Sequence, residues 1–308
     1  RCLDQHRISS YLQRNCPWMT RLKGGPGGAI RSNILKLRYA YNIGEIRKWA
    51  ANYDILCLQE VDERLEEVLG GNMVKGGCDI DARGIRTDGF TALHFPRGGM
   101  RVVHKMHSKV KVPLSSQKCA ARDFPAALVE RESDGERMWV SSLHIHPASM
   151  VNKRMGYLDY LKPVRDLLER CLSHEAAPVF FGGDFNIKPA RFGHELSQDP
   201  VLGELQVVQP SGGPTAHTSQ PSETGDFALV RGATWEGHAL GSKNFQEFEK
   251  YADTIVRDVQ QRIQHGRKSG AKGKGKGKGG ALPEKVTHRK GLWTSDHRPL
   301  HYVGHVMK

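Results

Sequence analysis

Residues 178–186 read Pro-Val-Phe-Phe-Gly-Gly-Asp-Phe-Asn, and this stretch is the strongest indication of the fold. A short, continuous apolar run is typical of a strand that is buried on both faces. Two glycines, then Asp184 and Asn186, come directly after that run. Polar side chains at the end of a buried strand lie at the rim of a sheet, where loops converge on functional sites. The stretch therefore predicts a buried strand that carries Asp184 and Asn186 to such a rim.

The first half of the chain repeats this arrangement. The apolar run at 55–58 precedes Gln59 and Glu60, and a helical pattern over 42–52 comes before it. A helical pattern over 155–171 likewise precedes the strand of the quoted stretch. Helix, buried strand and polar motif thus occur twice. This repetition predicts an α/β sandwich of two similar halves packed face to face, with helices outside.

Residues 89–145, which lie between these two halves, read as β-rich, with Gly, Pro and polar breaks between the strands. Strands are predicted at 90–95, 101–103, 110–112, 126–129 and 138–145. The helix over 155–171 is expected to kink or restart at Pro163, because proline removes a helical hydrogen bond. A third helix is predicted over 244–264, where apolar residues recur every three or four positions.

The predicted organisation is one domain with an insertion. Residues 1–28 end in Gly-Gly-Pro-Gly-Gly and stay unassigned, and residues 29–308 form the domain. We expect an insertion at about 238–290 that contains a disordered basic loop, since lysine alternates with glycine in much of 267–278.

The composition is that of a basic globular protein. The 308 residues are 38% hydrophobic and 26% charged, which excludes a mostly disordered chain. There are 46 Lys and Arg against 33 Asp and Glu, a formal net charge of +13. Residues 267–278 contribute six cations and no anion, so the rest of the chain still carries +7. A basic body favours a polyanionic partner such as nucleic acid or an anionic membrane surface, although basic charge also serves solubility alone.

Apolar runs and cysteines disfavour three kinds of structure. No apolar run approaches the roughly 20 residues that a membrane helix needs, so we expect no membrane span. The six cysteines are scattered without Cys-x-x-Cys pairs, which argues against a zinc site and against a dense disulfide framework. A reduced intracellular compartment, cytoplasmic or nuclear, is the prediction.

Six polar motifs flank apolar runs in a fixed order, and they hold Asn33, Gln59-Glu60, His144, Asp184-Phe185-Asn186, Asp226 and Ser295-Asp296-His297. This order resembles the endonuclease/exonuclease/phosphatase family, which has the deoxyribonuclease I-like fold, over about residues 29–302. The step of 27 residues from Asn33 to Glu60 also resembles the family. The resemblance implies a four-layered α/β sandwich of two packed, mainly antiparallel sheets with outer helices. It also implies a phosphoesterase, since members cut DNA, RNA, inositol phosphates and sphingomyelin.

The residue types at these positions suit metal-assisted hydrolysis of a phosphoester. The transition state gathers negative charge on the nonbridging and departing oxygens, which a divalent ion neutralises. Mg²⁺ prefers carboxylate, amide and water oxygens, and usually needs only one or two protein carboxylates. We expect Glu60 as the main ligand, Asn33 as a neutral oxygen donor, and Asp296 to complete or support the shell, with Mn²⁺ as an alternative ion.

His297 and Asp226 are predicted to form an acid/base or phosphate-orienting dyad. A carboxylate that accepts from one imidazole nitrogen fixes the tautomer and raises the basicity of the ring. Asp184 and Asn186 are expected to orient the attacking water and to hydrogen-bond the phosphate. His144 would donate to a nonbridging phosphate oxygen. Whether Asp184 or His297 is the base stays open.

The resemblance implies two further phosphate contacts. Arg122 begins Arg-Asp-Phe-Pro-Ala, which is similar to an Arg-x-Pro-Ala segment of deoxyribonuclease I relatives but has Phe124 as an extra residue. His217 ends Pro-Thr-Ala-His, which is similar to a family segment before the late aspartate. The tyrosine that those relatives carry upstream of the arginine has no match near 87–89, and this departure weakens any claim of duplex minor-groove contact.

The leading hypothesis is a Mg²⁺-dependent nuclease, endonuclease or exonuclease, that hydrolyses a phosphodiester of DNA or RNA. The alternative is a phosphatase or phosphodiesterase of a small-molecule or lipid phosphoester on the same fold. Against it, the Ile-Lys-Pro-Ala-Arg that follows Asn186 matches the inositol phosphatases poorly. A protein that only binds polyanions is disfavoured, because all the principal polar positions are retained.

Overall fold

The structure, a computed structural model, describes residues 46–61, 65, 69–77, 90–96, 98–115, 118–145, 157–186, 189–212, 225–239 and 300–306. A short helical stretch at 46–50 comes first. The other elements are, in chain order, β1 (Leu56–Val61), β2 (Asn72–Lys75), β3 (Phe90–Phe95), β4 (Met100–Ser115), β5 (Lys118–Arg131), β6 (Arg137–His144), α1 (Tyr157–His174), β7 (Val179–Asp184), α2 (Pro189–Leu196), a 3₁₀ turn (Leu202–Glu204), β8 (Gln206–Val208), β9 (Asp226–Arg231), β10 (Ala233–Ala239) and β11 (Leu300–Val306).

The largest sheet has six strands in the order β4-β5-β6-β7-β9-β8. All neighbours are antiparallel except β6 and β7, which are parallel. Parallel neighbours need a long crossover, and α1 supplies it. This helix runs through Pro163 as one element of 18 residues, so the restart expected there does not occur.

Strict alternation along the central strands gives the large sheet two buried faces. On one face, Leu128, Leu143 and Phe181 pack with residues of α1 such as Leu161 and Leu168. On the other face, the residues between them belong to a separate cluster: Ala127, Val129, Val140, Phe180, Ala228 and Val230. Because successive strand residues point to opposite faces, a sheet with both faces apolar must be an inner layer.

Smaller sheets cover the second face. The antiparallel sheet β1-β3-β2 contributes Val74, Leu93 and Phe95 to the cluster that contains Phe180. The hairpin-like pair β10-β11 adds Trp235 and Tyr302, whose rings lie 4.4 and 5.4 Å from the Phe180 ring, centroid to centroid. Sheet thus packs on sheet, with helices against the outside of the large sheet. The predicted α/β sandwich of two packed, mainly antiparallel sheets is confirmed.

Several predicted boundaries need correction. The strands expected at 101–103 and 110–112 are parts of one strand, β4, which has 16 residues and a bulge between Val102 and His104. The apolar pattern hid this continuity because polar residues occupy the middle of β4. Six short elements were not predicted: β2, α2, the 3₁₀ turn, β8, β10 and β11.

The chain divides into two compact units. Apart from Ile46, the first residue of the helical stretch, all the strands and helices named above belong to the unit of residues 47–240 and 297–308. The other unit, residues 1–46 and 241–296, lies outside the described residues except for Ile46. The predictions for 1–28, for the helix over 244–264 and for the Lys-Gly tract fall there and stay predictions. Within the described parts of the chain, no helix has the length and apolar character needed to cross a membrane.

Gly183 is required by the close approach of β7 to its parallel neighbour. A methyl group on its Cα would overlap the backbone carbonyl oxygen of Leu143. We predict that Gly183→Ala lowers the free energy of unfolding by about 3 kcal/mol, since rigid backbone cannot move aside as a side chain can. Urea unfolding measures the loss. Gly98→Ala is the matched control and should leave stability nearly unchanged, because no atom lies within 4 Å of the added methyl. Equal effects of the two changes would contradict the packing described here.

His94, on β3, makes the stability of the domain depend on pH. The side chain is buried, its Nε2 lies 2.8 Å from the Gly70 carbonyl oxygen, and burial lowers the pKa of His94. The unfolded chain therefore takes up this proton first as the pH falls, and stability is lost below about pH 6.5. Between about pH 7 and 5, we expect the free energy of unfolding to fall more for wild type than for His94→Gln, which has no imidazole to protonate. If the two free energies of unfolding differ by the same amount at every pH in this range, the lowered pKa of His94 is contradicted.

Candidate active site

Three polar side chains lie at one level across three adjacent strands. His144 at the end of β6 is the register partner of Asp184 at the end of β7, and Asp184 is the partner of Asp226 at the start of β9. All three residues are buried, with 3%, 6% and 6% of their surface exposed. The register therefore gathers an imidazole and two carboxylates at one rim of the large sheet.

The alternation of each strand explains why these side chains share a face. Val140, Phe180 and Ala228 belong to the core between the sheets. His144, Asp184 and Asp226 stand an even number of residues from them, so they point to the same face. The polar group thus continues the apolar core to the rim of the sheet.

The imidazole of His144 has one nitrogen fixed by an arginine. Arg122 Nη1 donates a hydrogen bond to His144 Nδ1. A guanidinium stays protonated and cannot accept, so Nδ1 is the acceptor and the neutral ring carries its proton on Nε2. His144 Nε2 lies 3.7 Å from Asp184 Oδ2. The prediction paired Arg122 with the substrate phosphate; the structure places its guanidinium against His144.

Asn186 holds the Asp184 carboxylate. Its backbone N–H donates to Asp184 Oδ1 at 2.9 Å, and its Nδ2 donates to Asp184 Oδ2 at 2.9 Å and to the Ile145 carbonyl at 2.7 Å. These bonds need a sharp turn, and Asn186 has a φ of 53°, the left-handed region that asparagine tolerates better than most residues. The side chain of Asn186 therefore commits both amide hydrogens to positioning the loop and the carboxylate.

Strand β1 is attached to the site by a side-chain bridge between the sheets. Gln59 Nε2 donates to Ser142 Oγ at 2.7 Å, and Ser142 Oγ donates to the Leu58 carbonyl at 3.1 Å. Ser142 is two residues before His144. The pairing of β1 with β3 gains one extra residue between Leu58 and Val61, which breaks strict alternation where Glu60 stands. The backbone of Glu60 thus lies in β1 next to the bridge, while its side chain is outside the described residues.

Tyr302, which the sequence analysis did not single out, lies near the same rim. Burial, and then the negative charge of Asp226, raise the pKa of Tyr302. Burial also raises the pKa of the Cys57 thiol to about 12, so this cysteine stays a neutral thiol. No local motif marks Tyr302, because its position depends on the pairing of β10 with β11.

The structure brings together five of the predicted residues: Arg122, His144, Asp184, Asn186 and Asp226. The other predicted residues are outside the described parts of the chain: Asn33, His217, Asp296, His297 and the side chain of Glu60. Among the residues that the structure does describe, no three His, Cys, Asp or Glu side chains are grouped to hold a metal ion. The metal ligands and the Asp226–His297 dyad stay predictions.

A family model decides the relationship that this geometry suggests. The model of the endonuclease/exonuclease/phosphatase family matches residues 33–297. The chain belongs to this family. The match spans all the predicted motif residues from Asn33 to His297.

Solved structures of this family have the same fold at low sequence identity. The endonuclease/exonuclease/phosphatase from Bacteroides vulgatus has a TM-score of 0.51 and 15% identity, over 66% of this chain and 84% of that one. A family protein from Leptotrichia buccalis has a TM-score of 0.50 and 16% identity, over 66% and 86%. A comparison with curated protein sequences gave no significant match. At these identities the similarity establishes the fold alone.

Members of the endonuclease/exonuclease/phosphatase family are hydrolases of phosphoesters and generally depend on a divalent metal ion. The buried imidazole and carboxylates of this chain are groups that can orient water and move protons at phosphorus. The rim where β6, β7 and β9 meet is therefore the candidate active site.

The turn at Asn186 can be tested by a pair of substitutions. Asn186→Gly and Asn186→Ala both remove the amide that holds Asp184, but only alanine must also adopt the left-handed backbone conformation. We predict that Asn186→Ala is less stable than Asn186→Gly by about 1 kcal/mol in urea unfolding. Both should lose phosphoesterase activity, since Asp184 loses the same bond to Nδ2. Equal stability of the two variants would contradict the backbone conformation described here.

Proposed function

We propose that this protein is a Mg²⁺-dependent phosphodiesterase that hydrolyses nucleic acid. The observation that carries the proposal is the alignment of His144, Asp184 and Asp226 across β6, β7 and β9 at the rim of the large sheet. Hydrolysis at phosphorus needs an oriented water, a proton acceptor and donors to the nonbridging oxygens. A buried imidazole beside two carboxylates supplies groups for each of these tasks.

The oxygen donors of the site suit a hard cation. Both oxygens of Asp184 accept hydrogen bonds from Asn186, so Asp184 is held as a positioning group rather than offered as the main ligand. We propose Glu60, Asn33 and Asp296 as the residues that hold the ion. The bridge from Gln59 to Ser142 supports this choice, because it joins the strand that carries Glu60 to the strand that carries His144. When bound, Mg²⁺ or Mn²⁺ neutralises charge on the phosphoryl oxygens.

The tautomer of His144 suits a role as hydrogen-bond donor. Arg122 donates to Nδ1, so the ring proton is on Nε2, and Nε2 lies 3.7 Å from Asp184 Oδ2. We propose that Nε2–H donates to a nonbridging phosphate oxygen, while Asp184 orients the water.

The second acid/base pair in this proposal is Asp226 with His297. Asp226 is buried at the first position of β9, where it is the register partner of Asp184. A carboxylate held there can accept from one nitrogen of His297 and leave the other nitrogen for proton transfer. Asp184 or His297 is then the base that takes the proton from water, and His217 is a further phosphate contact in this scheme.

The charge of the protein supports nucleic acid as the substrate class. The chain carries +13 in total and +7 without the Lys-Gly tract. A small phosphoester gains little affinity from this excess of positive charge. A polynucleotide gains more, because many of its phosphates interact with the positive charges at once.

The test offers the purified chain four substrates in the presence of Mg²⁺: plasmid DNA, poly(A) RNA, an abasic duplex and inositol polyphosphates. We expect cleavage of at least one nucleic acid and its loss on addition of a chelator. Asp184→Asn and Asp226→Asn should each lower the rate by about a hundredfold or more, in line with the usual contribution of an acid or base. Glu60→Gln and His297→Ala should have similar effects.

Asp54→Asn is the matched control for the two aspartate variants. Asp54 is exposed and the chemical change is the same, so the rate should stay at the wild-type value. Cleavage of inositol polyphosphates alone would remove the nuclease proposal and favour a small-molecule phosphatase. Unchanged rates in Asp184→Asn and Asp226→Asn would remove the site assignment.

A further inference from the structure

One face of β4 carries basic residues at every second position. Lys105, His107 and Lys109 are all exposed, whereas the intervening Met106 and Ser108 are buried. We refer to Lys105, His107 and Lys109 as the basic stripe. It lies on the edge strand of the six-stranded sheet, where no further strand of that sheet covers it among the described residues.

Strand register places the basic stripe on the same face as the candidate active site. Lys105 pairs with Ala127, and Ala127 pairs with Val140. Paired residues share a face, and Val140 shares its face with His144, four residues later on β6. The basic stripe and the rim residues therefore lie on one face of one sheet.

The basic stripe also runs towards the active-site rim. Lys109 pairs with Asp123, and the next pair is Val110 with Arg122. The guanidinium of Arg122 donates to the ring of His144. The stripe thus ends one residue pair away from a side chain that contacts the site, and about 10 Å from the strand of His144 in a regular sheet.

Where the structure describes the chain, most arginines of this sheet form ion pairs with acidic side chains, whereas the lysines of the stripe do not. Arg101, at the start of β4, pairs with Glu130, and Arg131 pairs with Asp134 and Glu136. Neither Lys105 nor Lys109 forms an ion pair with any residue in the described parts of the chain.

Asp123 is the acidic residue of the facing strand β5 at this level. Its Oδ2 accepts from the Gly77 N–H at 2.8 Å, and its Oδ1 lies 3.6 Å from His107 Nδ1. It is buried and directed at the histidine, so the two lysine charges remain available to a ligand.

On this basis we propose that the basic stripe binds the sugar–phosphate backbone of a polynucleotide and leads it into the active site. Lys105 and Lys109 are separated by about 13 Å along the strand, which is too far for one small phosphate ester to bridge while it also occupies the rim. A polymer with regularly spaced phosphates reaches both lysines and the rim at once. This inference rests on the proposed function and adds the surface that selects a polymer over a small phosphoester.

A membrane surface fits this face less well. Binding to an anionic bilayer is strengthened by apolar side chains that enter the interface. Among the described residues, the large exposed hydrophobic side chains are only Val103 and Val303. A row of cations without such anchors suits a linear polyanion that remains in water.

The test compares charge reversal on the stripe with the same reversal elsewhere. Lys105→Glu, Lys109→Glu and the double variant are compared with Lys162→Glu, which changes an exposed lysine on α1, a helix of the opposite face. Binding of a labelled DNA duplex of about 20 base pairs and of poly(A) RNA is measured with chelator present, across a range of salt concentrations.

We expect the double variant to bind the preferred nucleic acid at least about tenfold more weakly near 0.1 M salt. The slope of log affinity against log salt should fall by about 0.9 per lysine for the duplex, or about 0.7 for the single strand. Lys162→Glu should have a much smaller effect, and Lys105→Arg with Lys109→Arg should keep the affinity. The arm that shows the larger loss identifies DNA or RNA as the ligand.

Three results would overturn the inference. Equal losses of nucleic acid affinity in the stripe variants and in Lys162→Glu would mean that the net charge of the protein, and not the stripe, determines binding. Unchanged affinity of the double variant would mean that the lysines do not bind nucleic acid. If that variant also aggregates, the lysines serve to protect the strand edge from pairing with other chains. Binding to phosphatidylserine vesicles is measured in parallel. If the double variant loses vesicle binding but keeps its affinity for nucleic acid, the face binds a membrane.

A small chromogenic phosphodiester separates this inference from the proposed function. It reaches the rim without touching the stripe, so the double variant should hydrolyse it at the wild-type rate. If wild type fails to cleave any phosphodiester, the proposed function fails, while the binding assay still decides on the stripe. If wild type cleaves plasmid DNA or RNA and the double variant cleaves it equally well, only the stripe inference fails.

Discussion

The register that links β6, β7 and β9 is the constraint on which the rest of the structure depends. It sets His144, Asp184 and Asp226 side by side at the edge of the core. Charged groups are costly to bury unless hydrogen bonds or opposite charges compensate them. Here Asn186 donates twice to Asp184, and Arg122 donates to His144. These hydrogen bonds compensate the burial of Asp184 and His144.

The apolar layers hold this register in place. A one-residue slip of β7 would turn Asp184 towards the helices and Phe181 towards the other sheet. Phe181 and Phe180 each fill one of the two cores, so the slip would disrupt both at once. Gly183 allows the close approach of β7 to Leu143 that the parallel pairing needs. The chemistry at the rim and the packing of the sandwich are thus fixed by the same strands.

The sequence predicted the parts of the site that depend on local pattern. The apolar run before Asp184 predicted a buried strand, and the order of the polar motifs predicted the fold and the gathering of His144, Asp184, Asn186 and Asp226. Contacts between strands that are far apart in the sequence could not be predicted from local pattern. The bond from Arg122 to His144 depends on how β5 lies beside β6, and the position of Tyr302 depends on the pairing of β11. The length of β4 was missed because an edge strand with one exposed face does not show an apolar run.

The central claim is that residues from both ends of the chain join this rim around one divalent ion. The most direct measurement is a crystal structure of the full chain grown with Mn²⁺, in which anomalous scattering locates the ion. The account predicts one ion at the rim of β6, β7 and β9, with oxygens of Glu60, Asn33 and Asp296 at about 2.1 Å and His297 beside Asp226. An ion bound elsewhere, or Glu60 and His297 on opposite sides of the molecule, would contradict it.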